Sequence, residues 1–237
     1  MSWRTAPSSS YTSYFDIDWQ PVNPHLENKI LLPILEDQYG NVLEEGKLRL
    51  GYDDGAFFIA YYNARLPVAP RTYSNILGYR LDSLAEALGK EKERVQELQS
   101  VLTAISHLPL RREADPEKLE ERKRKKEIVK RRIAALHQAS PEVREAIDAT
   151  VRDFNGAVGQ SQSFDRLDEL IDAQAYRLAF WRVAGEEINY RRFFDINELA
   201  AIRMELPDVF QATRQFIFRL LVEGKAAGLR VDHPDDL

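Results

Sequence analysis

The 237-residue sequence contains no cysteine. That excludes a disulfide framework and a thiolate metal site, and it fits a reducing, cytoplasmic compartment. Histidine is also scarce: His25, His107, His137 and His233 are the only four, and they have no metal-ligand spacing, so no metal or other cofactor is expected. No run of eighteen apolar residues exists, so no membrane span is expected. The opening MSWRTAPSSS lacks the apolar segment of a signal peptide. A formal net charge of -5 argues against general nucleic-acid binding. What remains is 44% hydrophobic and 30% charged, the balance of a globular protein.

Residues 11–19 are aromatic and acidic, with Tyr11, Tyr14, Phe15, Asp16, Asp18 and Trp19. Aromatic rings stack on sugar C–H faces and carboxylates accept sugar hydroxyls, but the same rings also pin a loop to a core, and both readings stand. Residues 29–35 are apolar with Pro33 inside, as in an edge strand or a strand end. Residues 37–41 carry turn chemistry. Residues 47–52 alternate, Asp53-Asp54-Gly55 turns the chain, and 56–62 returns: a β-hairpin, ended by Pro67 and Pro70.

Residues 73–106 have apolar positions at helical spacing, with Gly89 as a break. Asp115-Pro116 starts a second helix, to about residue 138, and Ser140-Pro141 starts a third, to about 155. The second is rich in Lys and Arg, yet Glu117, Glu120, Glu121 and Glu127 interleave, so a solvated, ion-paired face is expected rather than a nucleic-acid surface. Residues 156–163 read as a polar loop, 164–173 as a helix and 174–183 as extended. Residues 195–198 are expected to cap a helical piece reaching Met204. Pro207 starts a last helix with Val209, Phe210, Ile217, Leu220 and Leu221 as its core side. The overall expectation is an α+β fold, mainly α with a small β component.

In the final stretch, Leu229 and Val231 alternate with Arg230 and Asp232, as at the end of a buried parallel strand. Strand ends of this kind carry catalytic groups in barrel enzymes. The arginine would hold the neighbouring carboxylate ionised. A structural ion pair has the same signature.

Gly228-Leu229-Arg230-Val231-Asp232-His233 resembles the nucleophile-bearing Gly-x-Arg-x-Asp strand of the α-amylase clan of glycoside hydrolases, glycoside hydrolase family 13. Three longer blocks, at 13–19, 29–35 and 176–203, resemble the maltooligosyltrehalose synthase branch of that clan. The resemblance implies a helical insertion subdomain of a (β/α)8 TIM-barrel glycosidase. Residues 1–72 would form the loop and hairpin part of the insertion and 73–173 the helical subdomain. Residues 174–237 would return to the barrel and end at the nucleophile strand. It implies a substrate, an α-1,4-glucan or maltooligosaccharide, and a reaction that converts the reducing-end α-1,4 bond into an α,α-1,1 bond. It also implies a functional partnership with a trehalose-releasing hydrolase.

By the same resemblance Asp232 is the nucleophile, Arg230 keeps it ionised, and His233 binds sugar, although a capping histidine would look the same. Tyr190, Arg191 and Arg192 are candidates for substrate contact or for bracing the insertion. Retaining chemistry needs a second carboxyl about 5 Å from the nucleophile. The clan places it on a strand after residue 237, so the chain is expected to be a fragment that is inactive alone. Two departures from the branch pattern, Asp236 for glycine and Arg214 for histidine, bear on fine specificity. Two alternatives stay open: another clan hydrolase or transglycosylase, and a non-catalytic helical interaction module.

Overall fold

The computed structural model describes residues 11–88, 92–109, 115–194, 196–197 and 199–231. The fold mixes helix and sheet. A two-stranded parallel pair, β1 (Ile30–Leu35) and β5 (Tyr176–Phe180), lies beside a three-stranded antiparallel sheet of β2 (Leu48–Asp53), β3 (Ala56–Tyr61) and β4 (Ala64–Pro67). Between β4 and β5 the chain is helical: α2 (Tyr73–Leu77), α3 (Leu81–Leu88), α4 (Lys92–Ser106), α5 (Pro116–Ala139), α6 (Pro141–Phe154) and α7 (Asp165–Asp172). Short helices α1 (Tyr39–Glu44) and α8 (Ala184–Glu187) follow β1 and β5, and α9 (Pro207–Val222) is the last among the described residues.

β1 is apolar throughout because both of its faces are covered, the usual state of parallel pairing. Pro33 has no N–H to give the ladder, and the register against β5 shifts between Leu32 and Leu35. The β2–β3 hairpin closes through Asp54 and Gly55, both in the left-handed region (φ 42 and 78). That two-residue pattern twists with the strands it joins. Leu48, Leu50, Phe57, Ile59 and Tyr61 face the core, and Arg49 faces solvent.

The helix starts fall where side-chain oxygens cap them. Asp115 accepts from the Glu117 N–H at 2.9 Å, and Ser140 accepts from the Val143 N–H at 3.3 Å. On α5 the interleaved charges pair along the helix, as Lys125–Glu121 (2.8 Å) and Lys130–Glu127 (2.9 Å). Asn155, at the end of α6, straps that helix to the sheet: its Oδ1 accepts from Leu50 N–H (2.6 Å) and its Nδ2 donates to Leu50 C=O (3.0 Å). One apolar cluster runs through both sheets and the helices from Ile30 to Tyr190.

Several expectations are corrected. Residues 39–44 are the helix α1 rather than a turn, with the Asp37 carboxylate accepting from the Gln38 N–H and the Asn41 amide at its start. Pro67 does not end the hairpin: the chain reverses at Tyr62 and adds β4, where an edge strand tolerates proline. The 73–106 stretch breaks first at Gly78, while Gly89 lies outside the described residues. Residues 199–204 form bridges rather than a helix; Asp195 and Glu198 lie outside the described residues. On α9 only Val209 is buried; Ile217, Leu220 and Leu221 are half-buried and Phe210 is 43% exposed, so the expected core side is only partly covered. Residues 229–231 belong to no strand, and Leu229 and Val231 are exposed rather than buried as a strand end would hold them.

Candidate functional site

Three extended segments meet at one end of the parallel pair. Residue pairs Phe15–Ile202, Ile17–Tyr190 and Arg192–Ala200 bridge antiparallel. The Arg191 N–H donates to Asp16 C=O at 2.9 Å, and the Arg203 N–H donates to Tyr14 C=O at 2.8 Å. The aromatic–acidic segment and the aromatic–basic segment, far apart in sequence, are thus neighbours in space.

Asn189 fastens this junction. Its side chain is buried, accepts from the Leu31 N–H (2.9 Å), and donates to the carbonyls of Asp18 and Lys29 (2.8 Å each). Its own carbonyl accepts from the Asp18 N–H at 2.8 Å. A buried amide with its partners in place orders all the backbone it touches.

Beside the junction lies an open cleft of about 580 Å³. Asp16, Asp18, Glu186, Glu187 and Arg191 contribute its charge; Val22, Leu26, Ile188 and Tyr190 contribute its apolar surface. Carboxylates, one guanidinium and apolar walls suit a neutral polyhydroxylated ligand better than an anion. Among the described residues, no group of three or more potential metal ligands stands together.

The structure separates the sequence-derived candidates. Arg191 lines the cleft and pairs with Glu205 (3.1 Å) and Asp16 (3.7 Å). Tyr190 is buried, and its hydroxyl donates to the Asn197 carbonyl at 2.6 Å. Arg192 donates to Asn197 Oδ1 at 2.7 Å. These two contacts tie Tyr190 and Arg192 to Asn197. Arg203, donating to Glu205 at 3.0 Å, is the main reason that carboxyl is held well below its usual range, at about 2, with Arg191 adding to it. Arg230 is exposed and is not among the residues that line the cleft. Asp232 and His233 lie outside the described residues.

Asn189, Glu186 and Glu187 were not singled out by the sequence reading. Glu186-Glu187 resembles any solvated acidic pair. Asn189 stands between Ile188 and Tyr190 within an otherwise charged stretch, so no apolar run or periodicity marks it.

No protein-family model matches the chain. Over 68 residues it is 46% identical to the putative maltooligosyl trehalose synthases of Mycobacterium tuberculosis strains CDC 1551 / Oshkosh and ATCC 25618 / H37Rv. That stretch is 28% of this chain, and it spans 8% of the length of those relatives. Among solved structures, a maltooligosyltrehalose synthase from Arthrobacter ramosus matches over 96% of this chain and 17% of its own, with 24% identity and a TM-score of 0.46. The DSM5389 glycosyltrehalose synthase matches over 95% of this chain and 18% of its own, with 22% identity and a TM-score of 0.45. The chain is thus homologous to maltooligosyl trehalose synthases over part of its length.

Proposed function

We propose that the chain serves an intramolecular glucosyl transfer at the reducing end of an α-1,4-glucan. The observation that carries this reading is the 68-residue likeness to the two mycobacterial proteins. Asp232 is the nucleophile. Its carboxylate attacks the anomeric carbon of the penultimate glucosyl unit as the α-1,4 C–O bond breaks and a general acid protonates the departing oxygen. The freed glucose turns within the site. Its anomeric hydroxyl then attacks the same carbon, releasing Asp232, forming the α,α-1,1 bond and returning its proton to the acid–base group. Inversion at each step gives net retention.

Arg230 keeps Asp232 ionised, since an adjacent cation favours the charged carboxylate. His233 holds a sugar hydroxyl. Arg191, at the mouth of the cleft, is the candidate of the 190–192 group for direct substrate contact; Tyr190 and Arg192 position its loop. Residues 73–173 are the helical part of an insertion into a barrel, and 174–237 lead back to it. The product, a glucan capped by trehalose, is consumed by a trehalose-releasing hydrolase in the cytoplasm.

The retaining cycle needs both carboxyls in one site. The 237-residue chain alone is therefore expected to leave maltohexaose unchanged. The decisive assay uses a full-length relative carrying this chain in place of its homologous region. Loss of reducing ends without released glucose is expected, and Asp232→Asn in that chimera should lower it roughly 10⁴-fold or more. Release of glucose in step with substrate loss would show hydrolysis and defeat the transfer reading. An Asp232→Asn chimera of undiminished activity would remove Asp232 from the mechanism.

A further inference from the structure

The carboxyl ends of β1 and β5 form a surface separate from the residues lining the cleft. The two strands run parallel and pair as far as Leu35 with Phe180, so Glu36 and Trp181 come next at the same edge. The turn carrying Trp181 packs on β1. In open α/β sheets, ligands bind outside the carboxyl ends of the strands.

The groups gathered at this edge are mixed in character. Trp181 is 50% exposed and stands edge-on to Phe180. The Arg182 guanidinium lies over both rings, 5.3 Å from the Trp181 centroid and 5.5 Å from that of Phe180. Tyr62 reaches in from the β3–β4 turn and donates its hydroxyl to Glu36 Oε1 at 2.8 Å. Lys47 pairs with Glu36 and with Glu45.

Tyr62 is the second, independent sign. It is 66% exposed and sits in the left-handed region at φ 47. A bulky aromatic in that region is strained, and strain of this kind collects at ligand sites. Turns that need such a φ usually take glycine or asparagine, so the ring is kept here at a cost to stability. Half-exposed aromatic planes carry the apolar C–H face of a pyranose, and the carboxylate and cations beside them take its hydroxyls. The two cations stand against three carboxylates, Glu36, Asp37 and Glu45, which leaves no net positive field to select a phosphate.

We infer that this edge is a binding subsite for a glucosyl residue of an α-1,4-glucan, with Trp181 stacking on the ring and Glu36 accepting a hydroxyl. The choice of glucan rests on the proposed function; the choice of a neutral sugar rests on the side chains themselves.

The test is calorimetric titration of the 237-residue chain with maltohexaose, and with cellohexaose as the linkage control. Binding of maltohexaose with a Kd on the order of 1 mM is expected, and weaker binding of cellohexaose. Trp181→Ala should weaken it about tenfold, the size of one aromatic contact. Glu36→Gln should weaken it about threefold or more, with thermal melts of both variants confirming that the fold persists. Unchanged maltohexaose affinity in both variants overturns the subsite and leaves the proposed reaction untouched, since the glucan is then held elsewhere. Absence of maltohexaose binding by the unaltered chain also overturns the subsite, while the chimera assay still reads the reaction. Equal binding of cellohexaose overturns the assignment to an α-1,4-glucan.

Discussion

The side-chain amide of Asn189 donates to the carbonyl of Asp18 at 2.8 Å, closing a gap of 171 residues in sequence. The same side chain holds Lys29, just before β1, and Leu31 on it, so three segments share one buried amide. Asn189→Ala would strand a backbone N–H and two carbonyls in a buried place. Each unmet group costs about 1–3 kcal/mol, and relaxation lets water reach some of them, so a loss of about 2–4 kcal/mol is expected in urea unfolding. Asn189→Asp should also destabilise, because a carboxylate accepts from Leu31 but cannot donate to either carbonyl. A loss below about 0.5 kcal/mol in Asn189→Ala would mean the junction does not depend on this residue.

Gly55 fixes how closely α5 approaches the β2–β3 turn. Its φ is 78, and a Cβ built there would lie 2.0 Å from the Lys130 carbonyl oxygen. Gly55→Ala therefore adds backbone strain to a clash that only a shift of α5 can relieve. A loss of more than about 2 kcal/mol is expected, beyond the ordinary effect of a surface substitution. Glycine to alanine at Gly40, where nothing lies within 4 Å and φ is not positive, is the control and should leave the melting temperature nearly unchanged.

Lys126 sits on α5 with Arg122 and Lys130 near it. Burial, then those cations, push its ammonium below the ordinary lysine value. The sign follows directly. A lysine whose folded pKa is lowered binds its proton less well when folded, so it opposes folding while protonated. That opposition is relieved as pH rises through the lowered folded value. Lys126→Met keeps the stem and removes the charge, so it should raise the denaturant midpoint at pH 7, and the gain should shrink at alkaline pH. An equal or lower midpoint at pH 7 would show that the ammonium finds compensating partners.

Much of this architecture is readable from residues with local, directional chemistry. Asp115-Pro116 and Ser140-Pro141 mark helix starts because a short acceptor and a proline leave few alternatives. Asp54-Gly55 marks a hairpin because few residue pairs enter the left-handed region together. Where the outcome depends on distant partners, local reading fails. Asp37 looks like a turn residue and serves as acceptor at the start of α1. Phe210 looks like a core residue, yet a core side needs a covering surface, and periodicity says nothing of whether one is present. The cleft was half legible: Asp16, Asp18 and Arg191 stood out by charge and family likeness. Asn189, which joins their segments, has no periodic or motif signal because its partners lie up to 171 residues away.

Glu205 reports on the same junction through pH. It accepts from Arg203 at 3.0 Å and pairs with Arg191 at 3.1 Å. The Arg203 hydrogen bond is the largest cause of its lowered pKa of about 2. A carboxyl whose folded pKa is depressed contributes stability above its unfolded value, near 4.3, and loses it as pH falls through the folded value. The bridges Phe15–Ile202 and Arg192–Ala200 should therefore stay closed at pH 5 and loosen between about pH 4.3 and 2. Carbon-detected NMR titration of the Glu205 carboxyl measures this directly. Amide exchange at Arg203, whose N–H donates to Tyr14, should follow it. Arg203→Ala removes the largest cause and leaves Arg191, so the midpoint should move up toward the ordinary carboxyl value. A midpoint already near 4.5 in the unaltered chain would show that both guanidinium contacts are too solvated to act.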